Sequence, residues 1–414
     1  MAILSFEQAL ATVLEHAARA STRPFETVRL LDSPGRVLAE PIIADRDQPP
    51  FDRATRDGFA VRAVEWSSGQ PLRIAGQIRA GQIWQHGPIQ PGMAVEIMTG
   101  APVPPGADAV AMVEHAAHEG DSVRAAEGRQ LTPGENIVHH GTEARAGETV
   151  VPSGTLISAA EIAEAATCGV TDLQVYRRPA VAILATGDEL VELTGNPSDH
   201  QIRNSNSYAL AALIQAAGGS PGRLEIARDT REDLRERILQ GRMSDLLLLS
   251  GGVSAGKYDL VEEVLAEFDA EFLFTGVKMQ PGKPVVFGRI HARQHHPNAT
   301  PEPECYFFGL PGNPISTEVT FHCFVVPMLR ALSGAGVSPP RFVQAALAED
   351  VPAKPGITRV LPARLTPDLN RPSVRLVPWH GSGDLAANAR ANCYAILPGD
   401  RNPLSGDGIT VLLR

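Results

Sequence analysis

Apolar and polar positions divide the chain into stretches with different periods. Residues 5–18, SFEQALATVLEHAA, place apolar side chains at helical spacing behind Ser5, a good N-cap residue, and predict one amphipathic helix. Short apolar alternations broken by Pro and Gly fill residues 24–150 and predict strands and turns. The helical period returns at 158–168, ahead of an Arg-Arg-Pro hinge at 177–179.

From residue 180 the pattern alternates strands with helices. Near-continuous apolar strands such as AVAILA and DLLLL are separated by amphipathic segments, which is typical of a parallel sheet covered on both faces. We therefore predict a three-layer α/β domain with a parallel-rich sheet. Residues 341–414 return to short strands without a helical stretch, and a small β-barrel is predicted there.

Composition and charge limit the partners. Hydrophobic residues make up 43% and charged residues 20% of the 414 positions, as in ordinary globular chains. The net charge of −10 repels phosphate backbones and anionic membranes, so nucleic-acid binding is disfavoured. No membrane span, no secretory leader and no metal-ligand cysteine spacing is apparent. We expect a cytoplasmic protein that holds anionic ligands with local groups.

Polar residues follow four predicted strands of the α/β domain. The segments are GDE at 187–189 after AVAILAT, RD at 228–229 after RLEIA, SGGVSAGKYD at 250–259 after DLLLL, and PGNPIS at 311–316 after CYFFGL. Ligands bind beyond the carboxyl ends of such strands. Carboxylates beside Gly-rich amides favour Mg²⁺ bridging the protein to a phosphate. The pattern predicts a phosphate site with Mg²⁺ at this edge of the sheet.

The segment GGVSAGK at 251–257 is close to the Walker A phosphate-binding loop, Gly-x-x-x-x-Gly-Lys-Ser/Thr. Tyr258 stands where that loop needs a short hydroxyl for Mg²⁺, and no convincing Walker B strand follows. A P-loop nucleotide hydrolase is therefore an alternative that the sequence argues against.

A second motif lies in the N-terminal half, where PPFDRATRDGFAV at 49–61 is followed by EIMTGAPVPPGADAVAMVEH at 96–115. The first segment crowds four charged residues before Gly58, namely Asp52, Arg53, Arg56 and Asp57. The second leaves a strand at Thr99, in a Gly/Pro turn that could contact a ligand. A hairpin turn with exposed ion pairs is the other interpretation of these residues.

Taken in order, the motifs resemble those of the MoeA family of molybdopterin molybdenumtransferases, which is similar to the E domain of gephyrin. The matching segments run from about 49 to 385: PPFDRATRDGFAV, EIMTGAPVPPGADAV, GENIVHHG, ILATGDELVE, IRNSNSYAL, LLLSGGVSAGKYD, MQPGKPVVFG, FFGLPGNPIS and GSGDL. The resemblance implies a Mg²⁺-assisted enzyme that inserts molybdate into adenylylated molybdopterin and releases AMP. It also implies transient contact with the molybdopterin adenylyltransferase and with acceptor molybdoenzymes.

The resemblance implies a homodimer of elongated four-domain subunits. Residues 1–45 with 141–177 would form an elongated linking domain, and 46–140 a β-rich domain. Residues 178–333 would form the molybdopterin-binding-type α/β domain, and 334–414 the C-terminal β-barrel.

The resemblance also assigns roles by position. Asp57 and Thr99 would reach the catalytic site from the other subunit, and Glu189, Asp229 and Asp259 would be catalytic ligands of Mg²⁺. Contacts with the substrate and the molybdate oxyanion would come from loop residues: Ser250, Gly251, Gly252, Ser254, Pro281, Lys283, Pro284, Pro311, Gly312, Asn313, Pro314 and Ser316.

Several positions depart from the family pattern. Val138 replaces an Arg, Gln280 replaces a Lys, and Thr142 with Glu143 replaces a Glu-Asp pair. Ala386 and Ala387 stand where the family has two Ser residues. Either Arg53 and Arg56 compensate for the lost cations, or the chemistry is altered. A non-catalytic molybdopterin-binding scaffold therefore remains the alternative function.

Overall fold

The computed structural model describes residues 3–20, 24–252, 260–292 and 303–414, with only the backbone described at residue 127. The helices are α1 Phe6–Arg19, α2 Ala63–Ser67, α3 Ala159–Thr167, α4 Ser205–Ala216, α5 Arg231–Gly241, α6 Leu260–Glu267, α7 Pro314–Thr320, α8 Val326–Leu332 and α9 Leu385–Arg390. A π-helical turn, Phe321–Val325, joins α7 to α8. Within these ranges, no helix combines the length and apolarity needed to cross a membrane.

The N-terminal helix begins where the sequence predicts. The Ser5 hydroxyl accepts from the Gln8 backbone N–H at 3.2 Å, and the Gln8 side chain accepts from the Ser5 N–H at 3.0 Å. This reciprocal pair satisfies two amide groups that a helix start leaves free. The apolar face buries Phe6, Ala9 and Val13 in the core of the α/β domain. Helix α1 therefore packs with that domain, and the domain boundaries given above stay a prediction.

The α/β domain is built on a six-stranded sheet. Its strands are β13 Ala180–Ala185, β16 Ser220–Arg223, β17 Leu246–Ser250, β18 Ala270–Phe274, β20 Val286–Ile290 and β21 Cys305–Leu310. They lie in the order β16-β13-β17-β21-β20-β18. Strand β20 runs antiparallel to β21 and β18, whereas β16, β13, β17 and β21 pair in parallel. The prediction of a parallel-rich sheet is confirmed.

Both faces of this sheet are covered. Val181 and Ile183 of β13 pack in one core with α1, α4, α7 and α8, whereas Ala182 and Leu184 pack in another with α5 and α6. Successive strand side chains point to opposite faces, so a strand buried on both sides must be apolar throughout. The apolar runs of the sequence follow from this three-layer packing.

One predicted strand is misplaced. The segment RLEIA at 223–227 was expected to be a strand, but the strand that pairs with β13 is Ser220–Arg223. Ala227 makes only an isolated parallel bridge with Thr186. Pro221 and Gly222 are weak strand residues, but β16 lies at the sheet edge, where Pro is tolerated.

The N-terminal half contains the predicted β-rich region. A six-stranded sheet in the order β7-β4-β6-β5-β9-β8 comprises β4 Gly58–Val61, β5 Leu72–Ile78, β6 Met93–Ile97, β7 Ala109–Met112, β8 Ala116–Glu119 and β9 Ser122–Ala125. Three two-stranded pairs connect it to the rest of the chain: β1 Phe25–Arg29 with β12 Asp172–Tyr176, β2 Ile42–Ile43 with β11 Thr149–Val151, and β3 Arg53–Ala54 with β10 Ile137–Val138. The short pair β14 Leu190–Val191 and β15 Ile202–Arg203 lies in the α/β domain.

Gly58 allows β4 to lie against β7. A Cβ atom on this residue would lie 1.9 Å from the carbonyl oxygen of Ala111, a backbone atom that cannot rotate away. We expect Gly58→Ala to lower the free energy of unfolding by about 1 to 3 kcal/mol through overpacking. The matched control is Gly222→Ala, where the nearest atom to the added Cβ is 3.9 Å away. Thermal unfolding of both variants measures the difference, and equal midpoints would show that β4 shifts at little cost.

The C-terminal region is a closed five-stranded barrel, as predicted. Its strands are β22 Phe342–Leu347, β23 Thr358–Thr366, β24 Ser373–Leu376, β25 Cys393–Leu397 and β26 Gly408–Leu413. Pairing of β23 with β25 closes the ring, and β19 Met279–Gln280 adds to β23 in parallel. The expectation that this region has no helix is wrong, because helix α9 lies between β24 and β25. Asp384 caps this helix by accepting from the Ala387 N–H at 3.0 Å.

Candidate functional site

Three neighbouring parallel strands bring their loops to one edge of the α/β sheet. Strands β13, β17 and β21 pair in parallel, so the segments that follow them start side by side at Thr186, Gly251 and Pro311. A Cβ atom on Gly312 would lie 3.7 Å from the Gly251 Cα, so the second and third loops are in close contact. The predicted rim of polar loops is therefore present.

Two carboxylates border the loop after β13. The buried Thr186 hydroxyl donates to the Asp229 carboxylate at 2.7 Å. Gly187 has φ +147°, and a Cβ atom there would lie 2.5 Å from the Glu189 carboxylate oxygen Oε2. Asp188 approaches as well, because its carboxylate accepts from the Asp229 N–H at 3.4 Å. Glu189 and Asp229 thus both border the segment formed by Thr186 and Gly187.

Asn206, in the first turn of α4, ties two of the loops together. Its side-chain amide donates to the Ser250 hydroxyl at 3.1 Å and to the Gly312 carbonyl at 2.8 Å. Gly251 and Gly252 have φ +95° and +67°, and a Cβ atom on Gly251 would lie 2.6 Å from the Thr186 carbonyl oxygen. Only glycine fits this close backbone approach. One side chain therefore links the end of β17 to the loop after β21.

The loop at 281–284 packs against α7. A Cβ atom on Gly282 would lie 2.7 Å from the Thr320 side chain, and the Thr320 hydroxyl donates to the Ser316 carbonyl at 2.8 Å. Ser316 is buried, whereas Lys283 is exposed. Within the described ranges, the Lys283 ammonium forms no ion pair. It is thus available to an anion at the predicted oxyanion loops.

A lysine from the barrel reaches Gln280. The Lys354 ammonium donates to the Gln280 side-chain carbonyl at 2.9 Å, across 74 positions of sequence. The pairing of β19 with β23 places the two segments together, since Met279 aligns with Thr358 and Gln280 with Arg359. A cation therefore lies beside the position where the sequence has lost one.

Asp57 and Thr99, singled out separately by the sequence, are in direct contact. The Asp57 carboxylate accepts from the Thr99 N–H at 2.6 Å and from its hydroxyl at 2.7 Å. These bonds, the backbone N–H first, lower the pKa of Asp57. In the part of the chain that the structure covers, the hydrogen bonds of both residues stay within the β-rich region.

The charged residues around Asp57 are mostly engaged. Asp52 accepts from the His140 N–H at 2.8 Å, and Arg53 pairs with Glu143 at 2.9 Å. Glu143 is one of the departures from the family pattern, and its carboxylate neutralises Arg53. Arg56 forms no ion pair with any described residue. Of the two arginines expected to compensate for lost cations, Arg56 is therefore the one left unneutralised.

The carboxylates at this edge suit a metal ion whose coordination is completed by substrate oxygens better than one held by the protein alone. Among the described residues, no three His, Cys, Asp or Glu side chains are placed to hold one ion. Asp259, the third predicted ligand, and Ser254 and Tyr258 lie outside the described residues. Mg²⁺ needs only one or two protein carboxylates when substrate oxygens complete its shell. Glu189 and Asp229 fit that requirement.

Thr186, Asn206 and Lys354 were not among the predicted site residues. Thr186 and Asn206 lie inside the segments ILATGDELVE and IRNSNSYAL, which carry the family resemblance. Thr186 could have been found from the sequence, because it is the polar residue that directly follows the apolar strand AVAILA. Lys354 gives no local signal, because only the β19–β23 pairing brings it to Gln280.

Family models match nearly the whole chain in three parts. The MoeA N-terminal region (domain I and II) matches residues 4–169, a "Probable molybdopterin binding domain" matches 182–331, and the MoeA C-terminal region (domain IV) matches 344–413. The matched ranges include the motifs that meet at the sheet edge.

Curated relatives and solved structures agree with these family matches. A molybdopterin molybdenumtransferase of Staphylococcus aureus (strain COL) is 33% identical over 405 residues, covering 95% of this chain and 92% of the relative. One from Staphylococcus epidermidis is 32% identical, covering 93% and 90%. Two crystal structures of MoeA from Pyrococcus horikoshii match with TM-scores of 0.79 and 0.71 at 26% and 29% identity; this chain is covered completely in both, and 100% and 99% of those chains.

Proposed function

The chain belongs to the MoeA family, and from this premise we propose that it inserts molybdate into adenylylated molybdopterin with Mg²⁺-dependent release of AMP. It is a transferase of molybdenum cofactor biosynthesis. The observation that carries the proposal is the meeting of the Thr186, Gly251 and Pro311 loops at one sheet edge, held by Asn206 and bordered by Glu189 and Asp229.

The residues divide into two groups by chemistry. The exposed Lys283 ammonium and the Gly-rich amides of 250–252 and 311–314 can hold a tetrahedral oxyanion, because cations and loop N–H groups solvate such anions well. Glu189 and Asp229 could hold Mg²⁺ beside the phosphoryl oxygens, and Asp259, which lies outside the described residues, is proposed as the third ligand from the family resemblance. Mg²⁺ bound there would neutralise charge that develops on the departing AMP.

A single-turnover assay tests the proposal. The protein is mixed with adenylylated molybdopterin, molybdate and Mg²⁺, and AMP is measured with and without each component. We expect AMP release to need all three. A scaffold would bind the pterin and release nothing, and a P-loop hydrolase would consume free ATP instead.

Thr186 is expected to position Asp229. Thr186→Val keeps the shape of the side chain and removes the 2.7 Å hydrogen bond, so Asp229 loses its fixed orientation. Groups that orient metal ligands typically contribute about ten- to a hundredfold to metal affinity or activity. We expect the Mg²⁺ concentration for half-maximal rate to rise by that factor. Thr186→Ser, which retains the hydroxyl, is the control, and equal behaviour of the two variants would remove the positioning role.

The active cleft is proposed to be shared between two subunits of a homodimer. The support is that Asp57 and Thr99 form a hydrogen-bonded pair in loops of the β-rich sheet, whereas Glu189 and Asp229 lie in loops of the α/β sheet. Asp57→Ala and Asp229→Asn homodimers should each be nearly inactive. After random subunit exchange, half the dimers are mixed and each has one intact site of two, so about a quarter of wild-type activity should return. No recovery after demonstrated exchange would place all these residues in one subunit's site.

The remaining partners are proposed from the same chemistry. The adenylylated substrate is expected to come from the molybdopterin adenylyltransferase, and the product to pass to acceptor molybdoenzymes in the cytoplasm. The negative charge of −10 argues against nucleic acid as a partner.

A further inference from the structure

A cavity lies away from the sheet edge that carries the candidate site. It has a volume of about 460 Å³ and opens between the linking strands, the C-terminal end of α4, α8 and the last strand of the barrel. Its lining residues on α4 run from Leu213 to Ala216, whereas Asn206 of the candidate site lies in the first turn of the same helix. Along the helix, Asn206 lies about 10 Å from Leu213 and about 15 Å from Ala216, so the two regions are distinct.

Arginines dominate the polar lining of this cavity, which we call the arginine cavity. They are Arg36, Arg177, Arg178, Arg330, Arg341 and Arg414. Two of them are neutralised, because Arg36 pairs with Glu26, and Arg414 pairs with Glu318 at 2.8 Å. No carboxylate of the described ranges lies within 4.0 Å of the other four arginines. A protein with a net charge of −10 thus concentrates unpaired positive charge at one place.

Two of the unpaired arginines, Arg330 and Arg341, line the same cavity and repel each other. Burial and the nearby charge of Arg341 both lower the pKa of Arg330. Within the described ranges, the Arg330 guanidinium donates to the Ser338 hydroxyl at 3.1 Å. An anion between the two guanidiniums would relieve their repulsion and would accept charge-assisted hydrogen bonds, which are about twice as strong as neutral ones.

The rest of the lining is suited to an organic group. Leu213, Val326 and Leu413, all partly exposed, supply apolar surface. His322 also lines the cavity, and its buried Nε2 has no hydrogen-bond partner among the described residues. Buried polar atoms are nearly always paired, so an unpaired one beside a cavity indicates a missing partner. The volume is within the range of about 300–1,000 Å³ that small-molecule sites occupy.

We propose that the arginine cavity binds a small organic anion, a phosphate or carboxylate carried on an apolar body, at a site separate from the transferase centre. The charged group would lie against Arg330 and Arg341, and the apolar body against Leu213, Val326 and Leu413. Neither the charged group nor the apolar body of such a ligand would contact the whole lining by itself. An anion without an apolar body, or an apolar alcohol without charge, should therefore bind less tightly.

Isothermal titration of the full chain tests this with defined probes. Phenyl phosphate and benzoate represent the two anionic groups, and inorganic phosphate and benzyl alcohol each lack one half of the proposed ligand. We expect one saturable site per chain for phenyl phosphate, weaker binding of inorganic phosphate, and none of benzyl alcohol. The ratio of phenyl phosphate to benzoate affinity shows which anionic group the cavity prefers.

Substitutions locate the site. Arg341→Gln and Arg330→Gln should each weaken phenyl phosphate binding by about ten- to a hundredfold, since each removes a charge-assisted contact. The control is Arg364→Gln, which removes an exposed arginine of the barrel that has no ion pair within the described ranges. Because Arg341 is exposed, its variant should fold, and transferase activity of all three variants should match wild type.

A crystal structure of the wild-type protein with phenyl phosphate gives a test that needs no variant, with the phosphate expected beside Arg330 and Arg341. The proposal is overturned if wild-type protein shows no saturable binding, or if Arg364→Gln weakens binding as much as Arg341→Gln. It is also overturned if Arg341→Gln changes the subunit stoichiometry measured by light scattering, because the arginines would then contact a second copy of the chain.

Discussion

Asp229→Asn is expected to reduce Mg²⁺-dependent AMP release by about two to three orders of magnitude, the scale seen when one preorganised charge-stabilising group is lost. Asn keeps the size of the side chain and an oxygen that can accept from Thr186, whose hydroxyl lies 2.7 Å from the present carboxylate. What is lost is the negative charge that holds Mg²⁺. The rate at saturating substrate, measured over a range of Mg²⁺ concentrations, reports the effect.

The fold should survive this change. Asp229 shares the loop edge with the carboxylates of Asp188 and Glu189, so removing one charge relieves repulsion, and the thermal midpoint should stay the same or rise. Asp199→Asn is the matched control, because Asp199 is an exposed carboxylate in the same domain. Turnover within threefold of wild type would rule out Asp229 as a ligand of the metal.

Lys283→Ala is expected to raise the molybdate concentration for half-maximal rate by about ten- to a hundredfold, since a charge-assisted contact contributes ~1.5 to 3 kcal/mol. The Lys283 side chain is exposed and unpaired within the described ranges, so the variant should be stable. Binding of the pterin should be largely unchanged. Molybdate titrations at saturating adenylylated molybdopterin measure the first quantity, and direct binding measures the second.

Two other lysines act as references for Lys283. Lys278→Ala removes an exposed ammonium from the same segment and should leave the molybdate dependence unchanged. Lys354→Ala removes the ammonium that donates to Gln280 at 2.9 Å and should have an intermediate effect if that cation also attracts the oxyanion. A rise below about threefold for Lys283→Ala would place molybdate elsewhere than the 281–284 loop.

The local periodicity of the sequence determined much of the architecture. Helix α1 with its Ser5 cap, the apolar strands of the α/β sheet and the short strands of the barrel follow from spacings of a few residues. Such spacings record which side of an element is buried, and burial is a property that each segment carries by itself. The ordered motifs likewise predicted the meeting of the loops after β13, β17 and β21 at one edge.

Short elements at the margin of a sheet or barrel were decided by packing. Residues 220–223 are a strand because they align with Ala180–Ile183 at the sheet edge, although RLEIA has the better strand composition. Helix α9 has six residues, too few for a periodic signal, and it is held by the Asp384 cap and by burial of Ala387 beside Val377. Local propensity is weak compared with such tertiary contacts.

The contacts that complete the site also needed the tertiary structure. Thr186 reaches Asp229 across 43 positions, Asn206 reaches Gly312 across 106, and Lys354 reaches Gln280 across 74. Each pair meets because two strands or loops are neighbours in space, and strand order is not encoded in the spacing within either segment. The sequence thus determined which loops carry chemistry, whereas the order of the strands decided which side chains hold those loops together and where the unpaired arginines meet in one cavity.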